Sequence, residues 1–114
     1  MTDTAPTRIA ILSAGLGDPS TTTMLATRLG AATQQALADA GRTATVDPIE
    51  LRPLAHDVAT HLVTRVAPPA LDDAIQRITS ADAIVAVTPV FTMSYSGLFK
   101  SFIDGIAERE LAGI

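Results

Sequence analysis

Cysteine is absent from the 114 residues. Disulfides, thiolate metal sites and cysteine nucleophiles are thereby excluded. No apolar run approaches the length needed to span a bilayer. A basic excess is also missing: Lys and Arg number 8 against 12 Asp and Glu, a formal net charge of -4, which leaves no broad footprint for nucleic acid. Met1–Thr7 is short, polar and faintly acidic, the reverse of a signal-peptide start. Internal repeats and low-complexity tracts are not seen. The chain that remains is 47% hydrophobic and 18% charged, a balance that suits a packed core. Its length fits one domain, 1–114. A soluble, cytoplasmic protein with neither a nucleic-acid nor a membrane partner is the default expectation.

Periodicity then orders the chain. Arg8–Ser13 is a nearly continuous apolar run, the pattern of a strand buried on both faces of a parallel sheet. Ala14–Ser20 breaks it with two glycines and a proline, and a helix follows from Thr21. Leu25, Leu29, Ala32, Ala36 and Ala40 recur at three- and four-residue spacing and are expected to form its apolar face, with Gly41 as C-terminal cap. Thr43–Ile49 reads as a second strand, and Asp47-Pro48 marks it as a strand end or edge. Glu50–Pro68 reads as a loop with a short helical segment around Asp57–Arg65. Pro69 starts a helix whose apolar face is Leu71, Ala74, Ile75 and Ile78, with Asp72 and Asp73 favouring its dipole. Ala83–Thr88 is expected to be a third buried strand and Pro89–Ser96 a loop. From Gly97 a last helix carries Leu98, Phe99, Phe102, Ile103 and Ile106 on one face. This β-α-β-α-β-α order implies right-handed crossovers and a parallel sheet with helices on both sides.

Two stretches at strand C-terminal ends carry the candidate chemistry, where open α/β sheets bind ligands. The first is Ser13–Thr23. A helix N-terminus offers unpaired N–H groups and partial positive charge, and Ser20, Thr21, Thr22 and Thr23 add hydroxyls there. The loop holds no Lys or Arg, so a Walker A loop is ruled out and a terminal monophosphate fits better. Gly15-x-Gly17-x-x-Ser20 comes close to a dinucleotide fingerprint, but its third position is Ser20 after Pro19. The acids Asp47 and Glu50 also come later than the usual distance of about 20 residues. The same hydroxyls serve equally well as an N-cap for the helix. Asp18 is expected to point to solvent.

The second stretch is Thr88–Gly97, where apolar and aromatic residues sit beside small, backbone-exposing ones. That mixture suits a flat ring lying on peptide groups, with N–H donors reaching its polar edge. The alternative is that Phe91 and Tyr95 simply anchor the loop to the core. His56 and His61, five apart, miss the helical metal-binding spacing and are expected at the surface or in a loop; no metal site is expected. Lys100 and Asp104, four apart, are placed to pair on a helix. No acid–base pair or nucleophile stands out, so no catalytic residue is assigned.

The spacing Pro89, Phe91, Ser94, Ser96, Gly97, Lys100, Asp104 resembles the P-x-[YF]-x-x-[SA]-x-[SP]-G-x-x-K-x-x-x-D signature of NAD(P)H-dependent FMN reductases. Thr88-Pro-Val-aromatic, Ser94-Tyr-Ser-Gly97 and Glu108–Gly113 look most like the alkanesulfonate-utilisation branch. The resemblance implies a flavodoxin-like, three-layer parallel α/β sheet, with the last strands of that fold beyond these 114 residues. It implies that Ser13, Ser20, Thr21, Thr22 and Thr23 hold the FMN phosphate. Pro89, Val90, Phe91, Thr92, Tyr95, Ser96 and Gly97 would then hold the ring, although many relatives have asparagine where this chain has Thr92.

The implied activity is hydride transfer from NADPH or NADH to FMN, with reduced FMN released to a partner flavin-dependent monooxygenase. The cofactor performs the chemistry while the protein positions it. Nothing in the residues selects NADH over NADPH. Reduction of a quinone or azo compound, or a non-catalytic flavodoxin-like role, are the competing readings. The resemblance also implies a homodimer or homotetramer, with Lys100 and Asp104 bridging subunits. The outer edge of strand three is expected to stand open, which invites dimerisation or exchange with a neighbouring chain.

Overall fold

In the computed structural model, which describes residues 5–15, 21–91, 94–95 and 97–107, the first apolar run forms strand β1 (Thr7–Ser13). Successive side chains of a strand point to opposite faces. Both faces are covered here: Ile9 and Ile11 are buried on one, Ala10 and Leu12 on the other. β1 is therefore the centre of the sheet. β2 (Ala44–Glu50) and β3 (Ala83–Val87) pair with it in parallel on its two sides, in the order β2-β1-β3.

Parallel neighbours need crossover connections, and helices supply them. α1 (Thr21–Asp39) lies over the face that carries Ile9 and Ile11. α2 (Ala55–Thr64), α3 (Pro69–Thr79) and α4 (Gly97–Ala107) cover the face that carries Ala10 and Leu12. The expected flavodoxin-like, three-layer α/β arrangement is thus present, with three parallel strands in the main sheet of the described residues.

Local chemistry accounts for the boundaries. Gly41 has φ 79°, and the N–H groups of Gly41 and Arg42 reach back to the carbonyls of Ala38 and Leu37 at 3.0 and 2.8 Å. That is a Schellman cap, and the left-handed conformation explains the glycine. Pro69 opens α3, and the face Leu71, Ala74, Ile75 and Ile78 is buried as its spacing predicts. On α4, Phe102 and Ile106 are buried, with Leu98, Phe99 and Ile103 packed against the same core. Among the described residues β2 lies at a sheet edge, one of the two readings that Asp47-Pro48 left open, and a proline on an edge strand leaves the ladder intact. A 3-10 turn, Arg52–Leu54, precedes α2, which begins two residues before the expected segment.

Several expectations are corrected. The face of α1 against the sheet is not Leu25, Leu29, Ala32, Ala36 and Ala40, which are exposed, but Ala26 and Gly30, with Leu37 partly buried beside them. A Cβ on Gly30 would stand 3.1 Å from Val46 Cγ1 and 3.3 Å from Ile11 Cγ1, so the helix descends on its smallest side chains. Gln34 Nε2 donates to Ala44 O at 2.8 Å, which puts that flank of α1 against β2 and turns Leu25 and Leu29 to the opposite flank.

β3 is not fully buried: Ile84 is 48% exposed, because the outer side of β3 has no neighbouring strand among the described residues. His61 is not a surface residue; it is 6% exposed, packed beneath α4. The Pro89–Ser96 stretch contains a short antiparallel pairing of β4 (Val90–Phe91) with β5 (Ser94–Tyr95) rather than loop alone.

Candidate functional site

The C-terminal tips of all three strands are tied together. Leu51 N–H donates to Ser13 O and Ala14 N–H donates to Val87 O, each at 2.9 Å. Ser13 is the register partner of both Glu50 and Val87. The stretch after β1 and the stretch after β3, far apart in sequence, therefore start side by side.

Ser13 is 3% exposed and projects to the α1 face, the third residue of the alternation that buries Ile9 and Ile11. Its Oγ lies 3.0 Å from Thr23 Oγ1 in the first turn of α1. Thr21 is exposed at the helix start, while Thr22 and Thr23 are half-buried. No acidic side chain occupies that first turn, although Glu50 lines the cavity next to Ser13 and Thr23. This cavity of about 110 Å³ opens beneath the pair, between α1 and β2, with Ile11, Ala26 and Val46 in its largely apolar wall.

Of the other predicted site residues, Pro89 is half-buried at the start of the second stretch. Val90 and Phe91 pair through their backbones with Tyr95 and Ser94, which brings both sides of the signature into one hairpin. Gly97 opens α4, and a Cβ placed on it would meet nothing within 4 Å. Ser20, Thr92 and Ser96 lie outside the described residues. A second, open groove of about 600 Å³ shares Thr23, Pro48, Ile49 and Glu50 with the cavity beneath Ser13 and Thr23, and runs along the C-terminal half of β2 to Arg77 of α3.

Asp47 and Arg77 on the β2 edge are engaged with one another. Arg77 Nε donates to Asp47 Oδ2 at 2.9 Å, and its Nη2 donates to Asp47 Oδ1 and to Pro48 O. The hydrogen bond from Arg77 holds Asp47 below its ordinary carboxylate range, against a smaller upward push from burial, and the same bond raises Arg77. Asp47, one of the acids weighed for a nucleotide ribose, is thus engaged on its own protein. Lys100 and Asp104 form the predicted i,i+4 pair on the exposed side of α4. Among the described residues, no group of His, Cys, Asp or Glu is placed to hold a metal. No helix there is long and apolar enough to cross a membrane.

In sequence the threonines of the first loop form one uniform cluster. Thr23 is set apart by lying three residues before Ala26 and seven before Gly30. It therefore shares the face that contacts the sheet, and that signal emerges only once the small-residue face is recognised.

A flavodoxin-like α/β sheet with a hydroxyl-lined helix N-terminus at its C-terminal edge defines the class. A sequence profile of the NADPH-dependent FMN reductase family matches residues 7–113, and the chain belongs to that family. It is 32% identical over 103 residues to an FMN reductase (NADPH) of Pseudomonas aeruginosa, covering 89% of this chain and 52% of the relative. It is 30% identical over 108 residues to the NADH-dependent FMN reductase SfnE of Pseudomonas putida, covering 93% and 54% respectively. Among solved structures, an oxidoreductase from Corynebacterium diphtheriae superposes with a TM-score of 0.82 at 37% identity, over 87% of this chain and 54% of that one. The chain spans about half the length of these relatives.

Proposed function

We propose that this chain is the flavin-holding part of an NAD(P)H-dependent FMN reductase. The observation that carries the reading is the Ser13–Thr23 hydroxyl pair at the start of α1, beside the stretch that follows β3. The donor set fits a phosphate monoester: neutral hydroxyls and helix N–H groups, with no acid in the first turn. Bound FMN supplies the redox chemistry, accepting a hydride from NADPH or NADH. The protein's part is to grip the phosphate with Ser20, Thr21, Thr22 and Thr23 and to lay the ring against the Pro89–Gly97 backbone. The two relatives' names differ in the donor, NADPH in one and NADH in the other, so both remain donors in this reading. Reduced FMN passes to a flavin-dependent monooxygenase, and the protein works as a homodimer or homotetramer in the cytoplasm.

The test is a pair of titrations. Replacing Thr21, Thr22 and Thr23 together by alanine is expected to weaken FMN by about tenfold or more, because charge-assisted hydrogen bonds are lost. Riboflavin, which lacks the phosphate, is expected to be unaffected. Equal losses for both ligands would leave these hydroxyls as helix caps only. Steady-state turnover of FMN against quinones, with NADPH and NADH in turn, tests the acceptor and the donor.

A further inference from the structure

We infer that the outer edge of β2 is a self-pairing strand edge held shut by Gln34, Pro48 and Arg77, so that a second copy of this chain does not add to the sheet there. Parallel pairing with β1 engages alternate residues of β2. Thr7 N–H donates to Thr43 O at one end, and Leu51 N–H donates to Ser13 O at the other, each at 2.9 Å. With Thr7 opposite Ala44 and Ser13 opposite Glu50, the odd-numbered residues of β2 bond to β1. The backbone groups of Ala44, Val46, Pro48 and Glu50 therefore face outward. No strand covers that side among the described residues, and such a row of groups is a template for another strand.

Three devices fall on two of these four positions. Gln34 Nε2 of α1 donates to Ala44 O at 2.8 Å. Arg77 Nη2 of α3 donates to Pro48 O at 3.1 Å. Pro48 itself has no N–H to give. Because α1 and α3 lie on opposite faces of the sheet, one side chain reaches over the edge from each layer. A second copy is the occupant that this edge fits. Two β2 strands running antiparallel about a two-fold axis at Val46 set Val46 opposite Val46 and Ala44 opposite Pro48. The same register sets Arg42 opposite Glu50, a favourable charge pair at each end. Ala44 and Pro48 would then have to exchange two hydrogen bonds. One of those bonds lacks its donor, and both carbonyls are already held by side chains that stand in the approach. The two-fold axis repeats the defect, so a blocked pair stands on either side of Val46.

The test carries Ile84→Lys in every variant, which charges the outer edge of β3 and leaves β2 to report. Gln34→Ala and Arg77→Met remove the two caps, and Pro48→Val restores the N–H. Self-association of the full chain is read by sedimentation, with amide hydrogen exchange at Val46 and thermal unfolding alongside. The three changes together are expected to raise the dimer association constant about tenfold or more over Ile84→Lys alone, as the Ala44–Pro48 bonds are regained. Exchange at Val46 is expected to slow as concentration rises. Gln34→Ala with Pro48→Val leaves the Asp47–Arg77 pair in place and is expected to show a smaller rise, which decides the matter if Arg77→Met unfolds the chain. Asp47→Asn is expected to lose stability yet stay monomeric, since Arg77 still holds Pro48 O. Folded variants with the guards removed that remain at monomer mass would overturn the inference. So would Asp47→Asn associating as readily as they do, since lost stability would then be the cause.

Discussion

Gly105 of α4 and His61 of α2 face one another so closely that a Cβ on Gly105 would stand 2.8 Å from His61 Nδ1. The two helices meet over this contact, and His61 is buried by it. Alanine is favoured over glycine inside a helix by about 1 kcal/mol. The clash outweighs that gain, and Gly105→Ala is expected to destabilise the fold by about 1 to 3 kcal/mol. Urea unfolding measures it. Adding His61→Ala to Gly105→Ala should recover part of the loss relative to the sum of the two single changes.

Asp47 and Arg77 join β2 to α3, and the pair predicts a pH dependence with a definite sign. The folded pKa of Asp47 lies below its ordinary 3.8. Its contribution is therefore fully present above that value and is lost as pH falls through the depressed folded one. The side chains of Arg77 and Asp47 are 38% and 41% exposed, so solvent screening limits the pair to about 1 kcal/mol or less at neutral pH. Asp47→Asn is expected to be less stable than the wild type at pH 7 and to converge with it in strong acid, as followed by paired denaturant melts.

The seating of α1 on Ala26 and Gly30 makes a contrast that is easy to measure. Leu25→Gln and Leu29→Gln are expected to change stability by only about 0.5 kcal/mol each, since Leu25 is 50% and Leu29 38% exposed and neither belongs to a buried cluster. Gly30→Val forces its methyl groups against Val46 and Ile11 and is expected to cost about 2 kcal/mol or more. If the leucines prove the costlier changes, α1 sits the other way round.

The outer edge of β3 offers a test of association. Ile84 is 48% exposed on a strand that carries no charged residue and has no outer neighbour among the described residues. Two copies are expected to pair there as concentration rises, and Ile84→Lys should hold the chain at monomer mass in sedimentation. A wild-type chain that stays monomeric throughout would leave the edge without a role in assembly.

Much of the architecture was legible in the sequence because its signals are local. The continuous apolar runs of Arg8–Ser13 and Ala83–Thr88 mark parallel strands, Pro69 and Gly41 mark a helix start and a helix end, and Leu71, Ala74, Ile75 and Ile78 mark a buried face. Asp47-Pro48 marked a strand end or edge, and β2 is an outer strand among the described residues. That two stretches follow the C-terminal ends of β1 and β3 was legible as well, because loop composition is a local property.

Tertiary packing decided the rest. Hydrophobicity alone points α1 at Leu25 and Leu29, but a helix lies closest to a sheet where its side chains are smallest, so Ala26 and Gly30 prevailed. His61 gives no sign in sequence of being buried, since its cover is Gly105, forty-four positions away on another helix. The sequence by itself determined that Ser13 and Thr23 flank a hydroxyl-rich loop between β1 and α1. Only the fold brought their hydroxyls to 3.0 Å, because strand alternation turns Ser13 under α1 and the close seat of Gly30 brings the first turn of α1 down to meet it.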